Sequence, residues 1–266
     1  VMLSPFLIGK SRPTRDEIRQ GITIALWGGI GMWMQADGLA YTEASTSAFL
    51  TQAYCVFLPL WACLRLRKSP SIRIIGATTM VLLGGAVLSG IRLQQFHLGR
   101  GEFETMLGAF LFTFQILSLE NPKYQGNRGI PVSFVMFLAI ALLFVPITLI
   151  AAPEPGACFT AGASVAAFIL ISSLALFCSV GAYVIMNVWQ PRVSATEAGL
   201  IYTIEPVFTA FYVLFLPAWL EKLIGSSYPN ESISPAMLTG GGLILGANLL
   251  MQWKRRPHLP SSGPIG

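Results

Sequence analysis

Residues 198–220 read AGLIYTIEPVFTAFYVLFLPAWL and contain a single charged side chain, that of Glu205. The stretch is long enough to cross a bilayer, because a hydrocarbon core of about 30 Å requires about 20 apolar helical residues. Pro206 removes one backbone hydrogen bond and bends such a helix. The stretch therefore predicts a bent transmembrane helix with one acid roughly 12 Å below its end, at 1.5 Å per residue.

The composition of the whole chain agrees with this interpretation. The 266 residues are 54% hydrophobic and 11% charged, whereas soluble domains carry about 25% charged residues. The four cysteines are scattered without a CxxC motif, and both histidines lie in polar connections. We therefore expect a membrane protein without a disulfide framework, a metal site or a cofactor.

Eight segments are long and apolar enough to span a membrane. Their predicted limits are 20–41, 44–64, 71–91, 103–119, 130–151, 161–189, 195–220 and 235–253. Short connections with turn-forming residues separate them. The predicted fold class is all-α, a polytopic membrane helix bundle with about eight transmembrane helices.

Lysine and arginine residues predict how the bundle is oriented. If the connection before the first span is cytoplasmic, all but three of the 17 Lys and Arg residues lie on the cytoplasmic side. The exceptions are Arg92, Arg100 and Lys222, so the distribution follows the positive-inside rule. The net charge of +5 is thus a signal of topology and not of nucleic-acid binding, and the C-terminus is predicted to be cytoplasmic.

Two segments match each other at an offset of 151 residues: TEASTSAFLTQAYCVFLPL (42–60) and VSATEAGLIYTIEPVFTAF (193–211). By the charge bias they cross the membrane in opposite directions, the arrangement of inverted-topology repeats in secondary transporters. We predict an incomplete first repeat of three spans at 1–95, a second repeat of five spans at 100–253, and a cytoplasmic tail at 254–266. A five-plus-five pattern implies two further spans before residue 1.

The repeat segments and their neighbours resemble the drug/metabolite transporter superfamily with paired EamA-type repeats. The similarity runs from about residue 18 to 253, and its most specific part is AGLIYTIEPVFTA (198–210) followed by GGLILGANLL (241–250). The resemblance implies a ten-helix transporter of small metabolites, here N-terminally truncated, with both termini cytoplasmic. We expect it in the bacterial cytoplasmic (inner) membrane.

Glu205 is the leading candidate for a functional side chain, because a charged acid near the bilayer centre is costly and rare. Either it is a protonatable or substrate-binding group facing a central cavity, or it is a neutral acid bonded to a neighbouring helix that holds the bend. Under the repeat, Gln52 and Tyr54 align with Thr203 and Glu205. Further polar or aromatic candidates at similar depth are Gln35, Gln115, Tyr183, Asn187, Tyr202 and Trp33, and the predicted kinks are at Pro206 and Pro59.

Glycines recur on three of the predicted spans, at 28, 29 and 31, at 84 and 85, and at 240 to 242. Small residues on membrane helices allow two backbones to approach closely. These positions therefore predict the sites at which helices cross.

The sequence predicts a secondary transporter that moves a small metabolite by alternating access between the two sides of the bilayer. An amino acid, a nucleobase-like solute and a drug-like solute all remain open, as does proton coupling. An intramembrane enzyme is the main rival, but there is no HExxH motif, no pair of intramembrane aspartates and no histidine in a span. A receptor or structural protein would give no reason for an inverted repeat.

Overall fold

The computed structural model of the protein describes residues 12–42, 44–67, 69–90, 99–151, 156, 164–224, 230 and 232–252, and every regular element in them is helical. The α-helices are α1 Arg15–Gly38, α2 Ala44–Thr51, α3 Tyr54–Leu66, α4 Ile72–Ser89, α5 Arg100–Glu120, α6 Gly129–Ala151, α7 Val165–Ser173, α8 Ala182–Trp189, α9 Ala195–Tyr202, α10 Glu205–Tyr212, α11 Leu216–Ile224 and α12 Pro235–Gln252. A π-helical segment, Leu174–Gly181, joins α7 to α8. The predicted tail at 254–266 lies outside the described residues.

Each predicted span coincides with one helix or with one interrupted helix, and the predicted all-α class is confirmed. Four stretches of the described residues are long and apolar enough by themselves to cross a membrane: Thr46–Arg65, Ile72–Ser89, Gly129–Ile150 and Val165–Arg192. The helix Pro235–Met251 is apolar but shorter. By composition and helix length, the chain is an integral membrane protein.

Two interruptions fall at equivalent positions in the predicted repeat. Adding 151 to the bounds of α2 gives the bounds of α9, and adding 151 to the first residue of α3 gives Glu205. In the second segment the break lies at Thr203 and Ile204. The ring nitrogen of Pro206, the second residue of the next helix, cannot donate to the carbonyl of Tyr202. The first segment breaks at Gln52 and Ala53 without a proline. Proline alone therefore does not account for the two breaks.

Pro59, a predicted kink, lies inside α3, which continues through it. Proline at 59 leaves the carbonyl of Cys55 without its usual helical donor. The hydroxyl of Thr78 on α4 donates to that carbonyl at 3.4 Å. A neighbouring helix thus supplies the missing donor, and the helix is not interrupted.

The antiparallel helices α1 and α5 touch through their backbones at two pairs of glycines. A Cβ placed on Gly108 would lie 2.9 Å from the carbonyl oxygen of Gly31, and one placed on Gly38 would lie 2.8 Å from that of Gly101. Both distances are shorter than real Cβ atoms show, so only glycine permits this approach. Helix α1 also packs against α6.

Helices α4 and α12 follow the two broken segments and also cross in an antiparallel arrangement. A Cβ on Gly84 would lie 2.7 Å from the carbonyl oxygen of Gly240, and the reverse distance is also 2.7 Å. The predicted close packing is confirmed at Gly31, Gly84 and Gly240. At Gly242 it is wrong, since a Cβ placed on that glycine would have no heavy atom within 4 Å and would face open space. An antiparallel crossing is the relation that inverted repeats require of equivalent helices.

A buried carboxylate links the start of α1 to the start of α6. Glu17 accepts from the Arg128 guanidinium at 2.8 and 2.9 Å and from the Arg128 backbone N–H at 3.1 Å. It also closes a capping box with Thr14. These hydrogen bonds, led by those of Arg128, lower the pKa of Glu17 from its usual value of 4.5 to about 2.

Acidification is expected to remove the stability that the Glu17–Arg128 pair contributes. Because the folded pKa is depressed, the contribution is complete above pH 4.5 and disappears as the pH falls towards about 2. Glu17→Gln retains the capping hydrogen bond but not the charge. The variant should have a free energy of unfolding about 1.5–3 kcal/mol lower than that of wild type at neutral pH. On acidification its melting temperature should fall less than that of wild type.

Thermal denaturation in detergent across this pH range is the measurement. Asp16→Asn, which removes an exposed acid from the same helical turn, is the matched control and should follow wild type. If Glu17→Gln loses stability in acid as steeply as wild type, the pair is not the source of the effect.

A second ionic cluster marks the opposite end of α1. The Arg100 guanidinium lies 2.6 Å from Asp37 and 2.8 Å from Glu104, and it stacks 4.1 Å over the Tyr41 ring. The bundle therefore has one end that contains residues 14–17 and 128 and another that contains residues 37–41 and 100–104. The predicted topology places these two ends on opposite sides of the membrane.

Candidate functional site

The two helix breaks border one cavity of about 1180 Å³. Gln52 and Tyr54 contribute to its wall from the first break, and Glu205 and Pro206 contribute from the second. The lining reaches Ser89 and Ser234, at the end of the bundle where α4 ends and α12 begins. The cavity therefore extends towards that end of the bundle, away from Glu17 and Arg128.

Glu205 is the first residue of α10 and its side chain is exposed to the cavity. Within the described part of the chain, no side chain or backbone group donates a hydrogen bond to its carboxylate, and no cation pairs with it. Tyr54 and Tyr183 line the same cavity as Glu205. The bond to a neighbouring helix that a purely structural role requires is absent from these residues.

Three carboxamides lie in the cavity wall. Gln35 on α1 donates to the Thr51 hydroxyl at 2.8 Å, which ties α1 to the last residue of α2 before the break. Gln115 on α5 lies against Gly28, and Gln52 lies against Gly85. The Oε1 atom of Gln52 is buried and has no hydrogen-bond partner among the described residues. An unpaired acceptor of this kind costs about 1–3 kcal/mol.

Three tyrosines from different helices also line the cavity. Tyr54 starts α3 and is buried, Tyr183 lies on α8, and Tyr202 ends α9. Tyr183 donates to the Met32 sulfur at 3.5 Å. The structure thus brings together Glu205, Gln52, Tyr54, Tyr202, Tyr183, Gln35 and Gln115 at one cavity.

Three other candidates lie outside the lining. Thr203 is buried and its hydroxyl donates to the carbonyl of Leu200 at 2.6 Å, which completes the turn at the break. Asn187 donates to the Ser133 hydroxyl at 2.9 Å and so joins α8 to α6. Trp33 precedes Gln35 by two residues, which places its side chain about 200° around α1 from that of Gln35 at 3.6 residues per turn. Trp33 is accordingly 41% exposed.

The structure adds lining residues that the sequence does not single out. Phe177, Cys178 and Ser179 belong to the π-helical segment, a rare geometry that is frequent at functional sites. No sequence pattern identifies a π-helix, so this wall was not predictable. Met32, Met186 and Met237 also line the cavity, and in a sequence they look like ordinary apolar residues.

A short chain of hydrogen bonds lies at the other end of the cavity, beside Tyr202. Tyr202 donates to the Gln190 Oε1 atom at 2.8 Å, and Gln190 donates to the carbonyl of Ile116 at 2.8 Å. Below this contact lies a core cluster that includes Tyr54, Cys55 and Leu58. These contacts join α3, α5 and α9 and form the floor of the cavity.

Groups of three His, Cys, Asp or Glu side chains that could bind a metal ion do not occur in the described part of the chain. The chemistry of the lining is instead that of one carboxylate, three amides, hydroxyl groups and apolar side chains.

Comparison with known proteins gives one relative and a shared fold. The chain is 23% identical over 235 residues to an "Uncharacterized transporter" of Archaeoglobus fulgidus, and the match covers 88% of this chain and 69% of that protein. A solved structure described as "Crystal structure of protein" has a TM-score of 0.62 and 13% identity, covering 94% of this chain and 90% of the other. The latter likeness shows the fold alone. No known protein-family profile matches the chain.

Proposed function

We propose that the protein is a secondary membrane transporter that moves a small organic solute through the central cavity by alternating access. The observation that carries the proposal is the cavity itself, which lies where two repeat-related helices break. Transporters commonly bind their substrate between inverted repeats, at discontinuous helices near the bilayer midplane. The similarity to an archaeal protein named as a transporter supports the same function.

We assign this geometry to one of the two states that alternating access requires. The cavity extends to Ser89 and Ser234, where we infer its opening, and the Tyr202–Gln190 hydrogen bond lies at its other end. Transport requires a second state in which the Tyr202–Gln190 contact separates and the open end closes. The resemblance to the drug/metabolite superfamily supports a ten-helix protein in a bacterial inner membrane, with its C-terminus in the cytoplasm.

Uptake into vesicles tests the proposal. Vesicles that contain the full-length protein are expected to accumulate at least one solute from a labelled panel of amines, amino acids and nucleobases, in a saturable manner. Protein-free vesicles give the leak rate. Uptake that never exceeds this leak for any member of the panel would contradict the proposal.

The orientation of the cavity gives a separate prediction, for which Cys178 is a native reporter. This cysteine is exposed and lines the cavity, whereas Gln125 is exposed in the loop before α6. Two single-cysteine proteins are compared, one that retains only Cys178 and one that carries only Gln125→Cys, with all other cysteines replaced by alanine. An impermeant thiol reagent should label the two proteins from opposite sides of the membrane. Labelling of both positions from the same side would contradict the proposed opening.

A further inference from the structure

We propose that the cavity selects a monovalent organic cation, an amine with an aromatic or aliphatic body, over anionic, zwitterionic and neutral solutes. This inference rests on the proposed function and names the substrate class of the same cavity. It follows from the charges, the backbone donors and the apolar surface of the wall.

The described lining of the cavity contains an acidic side chain and no basic one. Glu205 is the sole charged residue among the described residues that line the cavity, and no described lysine, arginine or histidine accompanies it. Its carboxylate has no described donor or counter-ion. In a partly dehydrated site, an opposite charge on the solute satisfies such a group, whereas a like charge is repelled.

Backbone donors offer little to an anion. Helix N-termini bind carboxylates through free N–H groups, but several donors at both breaks already have backbone acceptors. At the first break, Cys55 and Val56 donate to the carbonyls of Gln52 and Ala53. At the second, Val207 and Phe208 both donate to the carbonyl of Ile204. Few backbone donors are thus free for the carboxylate of an amino acid, and Glu205 would repel that carboxylate.

The rest of the wall suits an ammonium group attached to an apolar body. Tyr54 and Tyr183 line the same cavity as Glu205, and aromatic side chains attract cations. Met32 and Phe112 provide apolar surface further along the wall. The cavity volume of about 1180 Å³ exceeds what a bare inorganic cation requires.

Four indoles of one shape and different charge test the inference: tryptamine (a cation), tryptophol (neutral), tryptophan (a zwitterion) and indole-3-propionate (an anion). Calorimetry with the purified full-length protein in detergent at neutral pH measures their affinities. Tryptamine is expected to bind about tenfold or more tighter than tryptophol, because its ammonium makes a charge-assisted contact. Indole-3-propionate is expected to bind more weakly than tryptophol.

Variants at two glutamates test whether Glu205 causes the preference for the cation. Glu205→Gln should lower tryptamine affinity about tenfold or more and leave tryptophol affinity unchanged. The control Glu221→Gln, which removes an exposed acid outside the lining, should change neither. If tryptophol, tryptophan or the anion binds as tightly as tryptamine, if Glu205→Gln retains the cation preference, or if no indole binds, the inference is overturned.

Vesicle uptake of the same four indoles separates this result from the proposed function. Saturable uptake of a non-cationic indole would overturn the substrate class and leave transport standing. Selective binding of tryptamine without saturable uptake of any indole or panel solute would support the binding preference and contradict transport.

Discussion

Replacing Glu205 with glutamine is expected to lower transport by about 10- to 100-fold, which corresponds to a loss of about 1.5–3 kcal/mol for one charge-assisted contact. Glutamine preserves the shape and much of the hydrogen-bonding capacity of glutamate but neither its charge nor its titration. Any dependence of transport on pH that arises from Glu205 should therefore disappear as well. Initial uptake rates into vesicles, measured at several pH values, give both quantities.

The thermal stability of Glu205→Gln should remain close to that of wild type. No described residue bonds the carboxylate, so its charge holds no structural contact that glutamine would break. Glu221→Gln serves as the matched control and should transport normally. If Glu205→Gln takes up solute at the wild-type rate with the wild-type pH dependence, the carboxylate has no part in transport, and its position at the bend is only structural.

Replacing Gly240 with leucine is expected to destabilise the bundle by about 3 kcal/mol or more. A Cβ at this position would lie 2.7 Å from the carbonyl oxygen of Gly84 and 2.9 Å from the backbone nitrogen of Leu88. Backbone atoms cannot move aside as a flexible side chain can, so α4 and α12 would have to separate along their whole crossing. Thermal denaturation in detergent is the measurement.

The same helix offers a matched control for this substitution. Gly242 lies two residues away and faces open space, so Gly242→Leu should unfold near the wild-type temperature or above it, since leucine favours helix more than glycine does. The double variant Gly84→Leu with Gly240→Leu should cost less than the sum of the single variants, because both disrupt one contact. Equal melting temperatures for Gly240→Leu and Gly242→Leu would mean that the two backbones do not meet here.

Local composition was sufficient to predict much of this molecule. A run of about 20 apolar residues must form a helix in a bilayer because its backbone groups have no other partners, and the predicted spans accordingly coincide with helices or interrupted helices. The match between residues 42–60 and 193–211 predicted equivalent segments, and α2 and α9 have equivalent bounds at an offset of 151 residues. A lone acid in an apolar run also identified Glu205 as exceptional before any contact was known.

Tertiary structure decided which polar residues share a site and which serve packing alone. Gln115 and Asn187 are both buried amides, yet Gln115 lines the cavity while Asn187 bonds to Ser133, because helix rotation and neighbours determine where each side chain points. Pro206 borders a break, whereas Pro59 does not interrupt its helix, since Thr78 from another helix supplies a donor. The π-helical wall and the difference between Gly240 and Gly242 likewise depend on the approach of separate helices. A sequence specifies helices through contacts close along the chain, but a cavity is formed by residues that are far apart in it.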